Sequence, residues 1–244
     1  MSGKHASKLR FYWIASMTGM YTLWSCIQII FLSRLAKEFR PFIDRIMTLW
    51  SKRLLNLIRV TIKVSGLEYF PKIGTRPVII MCNHSSLYDI PVAIVALNTS
   101  IRFVAKKELF QLPVFGTTIK RAEFISIDRG DHEQAVKDLE HAKEKMLSGI
   151  NLWMAPEGTR SKDGKLARFK RGAFHVAIDT KALIVPIVIK DIHKVQAGDN
   201  LHLYLNQEVE VEICEPIDSQ EYDTSKRKEL IEIVRNRMLK ALGQ

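Results

Sequence analysis

Two short strings carry the residue types best suited to chemistry, NHSSLYD at residues 83–89 and APEGTR at residues 155–160. In the first, His84 stands five positions before Asp89, which supplies a general base and a carboxylate to orient it. In the second, Glu157 and Arg160 flank Gly158 and Thr159, and a planar guanidinium suits two-pronged contact with an oxyanion. A five-residue step on a helix turns about 140°, so His84 and Asp89 would point apart on one and can meet only across a turn. Residues 78–82 read as an apolar strand and Ser85-Ser86 as a turn; a helix opening near Leu87, with Pro91 in its first turn, lets Asp89 reach back to the imidazole. His84 then stands at the carboxyl end of a strand, where open α/β sheets gather their ligands. Taken alone the pair is a weak signal, since a His followed by an Asp is most often a matter of capping or solvent contact.

The elements that must hold these strings alternate. Strand-like runs at 78–82, 101–105, 124–127, 151–154 and 183–189, with 201–205 and 209–213 following, are mostly separated by helix-like runs. This pattern predicts an α/β fold with a mainly parallel sheet covered by helices. Asp131 with Gln134 predicts a helix start, and Val136, Leu139, Ala142, Met146 and Leu147 form its apolar stripe. A terminal helix over 224–242 turns Leu230, Ile231, Val234, Met238 and Leu242 inward. Both helices read as core cover.

The first 63 residues differ in character. They hold eleven Lys/Arg against two acidic residues, so +9 of the net +11 of this 244-residue chain lies there. Residues 11–32 carry no charge and are long enough to cross a hydrocarbon layer of about 30 Å, although Ser16, Thr18, Thr22, Ser25 and Gln28 temper their hydropathy. A helix break is expected near Pro41. Beyond it Phe42, Ile43, Ile46, Met47, Trp50, Leu54, Leu57 and Ile58 recur at helical spacing with Arg45, Lys52, Arg53 and Arg59 between them, a basic amphipathic helix. Basic residues flanking an apolar stretch, without interleaved stacking aromatics on a folded face, point to a lipid surface and away from nucleic acid. The expectation is an N-terminal two-helix membrane-binding segment over 1–63 and an α/β domain over 64–244. Cys26, Cys82 and Cys214 lie far apart, which indicates neither a disulfide framework nor a zinc site. His132 and His141 read as surface helix, and no metal or cofactor is expected.

The string NHSSLYD resembles the NHxxxxD motif of the glycerolipid acyltransferases, in particular the bacterial 1-acyl-sn-glycerol-3-phosphate acyltransferases of the PlsC family. Three further blocks resemble that family's in order: FISIDR at 124–129, PEGTRS at 156–161 and IVPIVI at 184–189, with VAKKELFQLPVFG at 104–116 and FKRGAF at 169–174 as connecting segments. The resemblance covers about residues 65–215 and implies a glycerol-3-phosphate acyltransferase-like fold. It also implies transfer of an acyl chain from acyl-CoA or acyl carrier protein, as co-substrate, to the sn-2 hydroxyl of lysophosphatidate, giving phosphatidate. His84 is then the base and Asp89 its orienter. Gly158, Thr159 and Arg160 bind the glycerol phosphate, Glu157 takes a hydrogen bond from the acceptor hydroxyl, and Arg129 and Lys106 are further phosphate contacts. Lys162, Lys165, Arg168, Lys170 and Arg171 either attract phosphates or stay solvated. Backbone amides after His84 are candidate oxyanion donors. The implied place is the inner (cytoplasmic) membrane, with the catalytic domain on its cytoplasmic side. Alternatives keep the chemistry on another lysophospholipid or a lyso-ornithine lipid, or keep the fold as an inactive membrane-bound interaction protein.

Overall fold

The computed structural model describes residues 4–71, 76–128, 130–196 and 202–244. A two-residue strand β1 (Lys4–His5) leads into α1 (Lys8–Leu35), which Ser7 caps by accepting the amide of Arg10. The chain breaks and restarts as α2 (Arg40–Ile58), with Pro41 in its first turn, where a missing N–H costs nothing. Next come β2 (Thr61–Ser65), β3 (Val78–Cys82), α3 (Asp89–Leu97), β4 (Ile101–Lys106), α4 (Lys107–Phe110), α5 (Phe115–Arg121) and β5 (Ile125–Ile127). The remainder is α6 (His132–Leu147), β6 (Asn151–Met154), α7 (Gly172–Thr180), β7 (Leu183–Lys190), β8 (Tyr204–Leu205), β9 (Glu208–Ile213), β10 (Ile217–Asp218) and α8 (Arg227–Leu242).

The main sheet runs β2-β9-β7-β3-β6-β4-β5, with β10 also on β7. The five strands from β7 to β5 are parallel to one another, whereas β9 and β10 pair antiparallel with β7. Central β3 is buried throughout, as an apolar run covered on both faces must be. In β9, Val209, Val211 and Ile213 are buried while Glu208 and Glu210 face solvent, the alternation of a strand wet on one side.

Successive residues of β3 serve two cores. Val78, Ile80 and Cys82 join a cluster with α1, α2 and α3, while Ile79 and Met81 join one with α6, α7 and α8. The sheet is therefore sandwiched, as the alternating pattern predicts.

Four expectations change. The division between residues 63 and 64 falls inside β2, and α1 and α2 share the core cluster of the sheet. The apolar stripe of α2 lies inside the molecule: Ile43, Ile46, Met47, Leu54, Leu57 and Ile58 are buried, because α3 and α1 cover that face. The apolar surface left open belongs mainly to α1, where Trp13, Met20, Trp24, Ile27, Phe31 and Leu35 are exposed. In α6, Ala142 and Met146 are buried, but Val136 and Leu147 face outward, since the stripe is narrower than its sequence pattern. Of the strand expected at 201–205, Tyr204–Leu205 form, paired with β1; Leu201 lies outside the described residues.

Candidate active site

The site is built where β3 stops pairing. Asn83 continues the contact with β7 through its side chain: Nδ2 donates to the Ile189 carbonyl at 3.0 Å and Oδ1 accepts the Ile189 amide at 2.8 Å. This clasp occupies the last strand position, so the backbone can leave the sheet at His84. The turn closes on Asp89, the first residue of α3. Asp89 Oδ2 accepts the amides of Ser85 at 2.8 Å and Ser86 at 2.9 Å, and lies 2.5 Å from His84 Nδ1. An oxygen that already accepts two N–H groups is an unprotonated carboxylate oxygen, so Nδ1 carries the hydrogen and donates it. Nε2 is left as the nitrogen able to take a proton. Asp89 is fully buried and the His84 side chain is 20 % exposed, so the pair is fixed from beneath and open above. The imidazole also meets the buried Trp153 ring of β6 edge-on, at 6.0 Å between centroids.

APEGTR follows β6, which is hydrogen-bonded to β3. Two bonds join the strings: His84 N donates to Glu157 Oε1 at 3.0 Å, and Ser161 N donates to the His84 carbonyl at 2.7 Å. The other Glu157 oxygen accepts the Ala167 amide at 2.8 Å. Glu157 is 3 % exposed, and burial pushes its carboxyl up from the ordinary range despite these two amides. The carboxylate expected to take the acceptor hydroxyl is thus already held by two backbone amides. It is sunk below the surface as a bracket between two loops, with each oxygen engaged by a backbone amide.

Gly158 has φ +74°, a conformation that favours glycine, and a Cβ there would stand 2.8 Å from Lys170 Cδ on a flexible side chain. The close approach is made by the Lys170 stem. Thr159 is exposed, and Arg160 is half-buried with no hydrogen-bond or ion-pair partner among the described residues. An unpartnered guanidinium on a turn bonded directly to the base is free to receive an anion.

Lys106 ends β4, the strand beyond β6, and is exposed. The structure sets it at the same carboxyl edge. Arg129 lies outside the described residues; its neighbour Asp128 follows β5, the next strand, and pairs with Lys107. Three of the sequence blocks and the 104–116 segment thus converge on neighbouring strand ends, while IVPIVI is β7 itself. Of the backbone amides after His84, where oxyanion donors were expected, those of Ser85 and Ser86 are engaged by Asp89.

Two contributors escape sequence reasoning. Asn83 was visible as the polar residue closing an apolar run, which is the signal for a side chain that replaces a strand bond. Ala167 offers only its backbone, and no side-chain pattern announces that.

This layout sets a carboxylate-held histidine and a free arginine at neighbouring parallel strand ends, parts for base-assisted chemistry on an anionic substrate. Residues 61–190, more than half of the chain, match the model of the Acyltransferase family, and the chain belongs to that family. The chain is 33 % identical over 162 residues to the chloroplastic 1-acyl-sn-glycerol-3-phosphate acyltransferase LPAT1 of Arabidopsis thaliana, covering 66 % of this chain and 45 % of that protein. It is 27 % identical over 184 residues to 1-acyl-sn-glycerol-3-phosphate acyltransferase alpha of Mus musculus, covering 75 % of this chain and 64 % of that one. The chain spans about half the length of the first curated relatives it matches. Among solved structures, PlsC of Thermotoga maritima, a 1-acyl-sn-glycerophosphate acyltransferase, superposes with a TM-score of 0.81 at 26 % identity, covering 96 % of this chain and 92 % of that one.

Proposed function

We propose that this protein is a 1-acylglycerol-3-phosphate O-acyltransferase, which moves an acyl chain from an acyl thioester to the sn-2 hydroxyl of 1-acyl-sn-glycerol 3-phosphate and releases phosphatidate. The observation that carries this reading is the bonding of the base to the anion-receiving turn: His84 holds Glu157 and Ser161, and Arg160 lies between them in sequence. In the proposed step His84 Nε2 takes the hydroxyl proton as the oxygen attacks the thioester carbonyl, and Asp89 steadies the imidazolium that forms. The thiolate leaves and takes up the proton from the imidazolium. Arg160 grips the acceptor phosphate, with Lys106 and Arg129 as outer contacts. The names of the relatives support lysophosphatidate as the acceptor.

The proposed setting is a membrane surface. Ile14, Ser25, Cys26 and Ile29 of α1 are buried against the body, so the helix lies along the domain over about 20 Å at 1.5 Å per residue. A helix docked along its length favours resting in one leaflet with its exposed aromatic and aliphatic side outward. Arg10 and Arg53, stacked over Trp13 and Tyr21, suit a headgroup layer, and a cytoplasmic side follows from the thioester donors. The test is phosphatidate formation by the full chain on vesicles containing lysophosphatidate, with lysophosphatidylcholine as the competing acceptor. Absence of phosphatidate with both acyl-CoA and acyl carrier protein thioesters would overturn the proposal.

A further inference from the structure

The segment after APEGTRS alternates two kinds of residue. Leu166 and Phe169 are buried in the core shared with α7 and α8, and they turn Lys165, Arg168, Lys170 and Arg171 outward, all four exposed. None of these cations forms an ion pair with a described residue. The ribbon is nonetheless held rigidly. Leu166 N donates to Gln244 Oε1 at 2.9 Å, Arg235 donates to the Leu166 carbonyl at 3.2 Å, and Ala167 N reaches Glu157. Lys170 N donates to the Pro156 carbonyl at 2.7 Å, which fixes the ribbon against the turn that carries Arg160. A set of unpaired cations on a preorganised backbone beside a reaction centre is a docking surface for an anionic partner.

Its position chooses among partners. The ribbon is anchored in the core on the α6, α7 and α8 side of the sheet, whereas α1, with its exposed apolar side, packs on the opposite face. A lipid surface taken up by α1 therefore does not reach it flat-on. Within residues 160–171 the only aromatic is Phe169, which is buried, so a nucleotide base finds no ring to stack on there. The ribbon offers several exposed charges and no stacking ring, which fits the acidic surface of a protein.

We infer that Lys165, Arg168, Lys170 and Arg171 form the docking surface for an acidic acyl carrier protein, which brings the thioester to His84 from the side of the sheet opposite α1. The inference deepens the acyl-transfer reading and rests on it. The step is unchanged: the carrier's thioester C–S bond breaks, the C–O ester bond forms, and the carrier leaves as the free thiol.

The experiment uses full-length protein with Lys165→Glu and Arg168→Glu combined, two positions outside the base, its orienter and the phosphate contacts. Initial rates are measured on lysophosphatidate vesicles with carrier-protein and CoA thioesters of one chain length. The expected result is a KM for the carrier thioester raised about tenfold, with kcat and the KM values for acyl-CoA and lysophosphatidate within about twofold of the unsubstituted protein. In parallel, fluorescence anisotropy reads binding of the unacylated carrier, expected to weaken about tenfold and to fall with added salt in the unsubstituted protein. An equal rise for acyl-CoA would make the ribbon a nucleotide site, and lost vesicle co-sedimentation would make it a lipid site; either overturns the inference, as does unchanged carrier binding. Failure of both donors to yield phosphatidate would sink the acyl-transfer reading alone, since carrier binding is read without turnover.

Discussion

The turn after β3 and the turn after β6 are bonded to each other yet built on opposite plans. In the first, Asn83, Ser85, Ser86 and Asp89 are buried and hydrogen-bonded, and one carboxylate oxygen organises the imidazole and two amides. In the second, Glu157 is locked beneath the surface while Thr159 is exposed and the Arg160 guanidinium has no partner among the described residues. The difference separates two jobs. On the proposed reading, the group that moves a proton has its orientation fixed beforehand, whereas the group that grips an anion keeps its hydrogen bonds open for it.

Substitutions test that division, the largest effect first. His84→Ala is expected to lower kcat about 10³-fold while the KM for lysophosphatidate changes less than about twofold, measured by phosphatidate release. A small loss in kcat would remove the fixed turn from the chemistry. Glu157→Ala leaves two backbone amides without their acceptor and is expected to cost about 3 kcal/mol of stability in urea unfolding, with kcat falling as the histidine loop loosens. If stability is unchanged, the bracket is not holding the two turns. Arg160→Ala breaks the open side: KM for lysophosphatidate rises about 30-fold and kcat stays within about threefold, the reverse of the His84 pattern. Equal changes in both constants would erase the contrast between the turns.

The smallest effect lies far from both. Arg40, at the start of α2, makes a two-pronged contact with Glu123 at 2.7 and 3.0 Å. Burial pushes the Glu123 carboxyl up, but the hydrogen bond and charge of Arg40, with Lys145, bring it below the ordinary range. A depressed carboxylate stabilises the fold above its unfolded-state pKa and loses that contribution as pH falls through its folded value. Arg40→Ala is thus expected to lower Tm by about 3 °C at neutral pH, a modest figure because the pair is partly exposed, and by little once Glu123 is protonated. Both kinetic constants should hold, which would confine the kinetic split to the two turns.

Much of this arrangement was legible before any coordinates. The runs at 78–82 and 151–154 became β3 and β6 to the residue because continuous burial leaves no other placement for them. Helix geometry excluded a shared helix for His84 and Asp89 and left a turn as the way for them to meet, which is how the structure joins them. What the sequence hid was three-dimensional. The periodicity of α2 marks an apolar stripe but cannot say whether protein or lipid covers it; α3 and α1 do. Thr61–Lys63 were assigned to the anchor because the pairing partner of β2, β9, lies far along the chain. Glu157 looked like a ligand contact because only coordinates reveal that amides at His84 and Ala167 hold it.

The Asn83 clasp has a consequence in time. Its partner, Ile189, lies 106 residues downstream, so the loop that carries His84 lacks its seam to β7 until that strand has been synthesised. A nascent chain halted before that point holds the histidine, its aspartate and the arginine turn, and still lacks the seam that aims them. Pairing over such a separation is slow to form, and this seam is a long-range contact laid over a turn whose bonds to Asp89 are local.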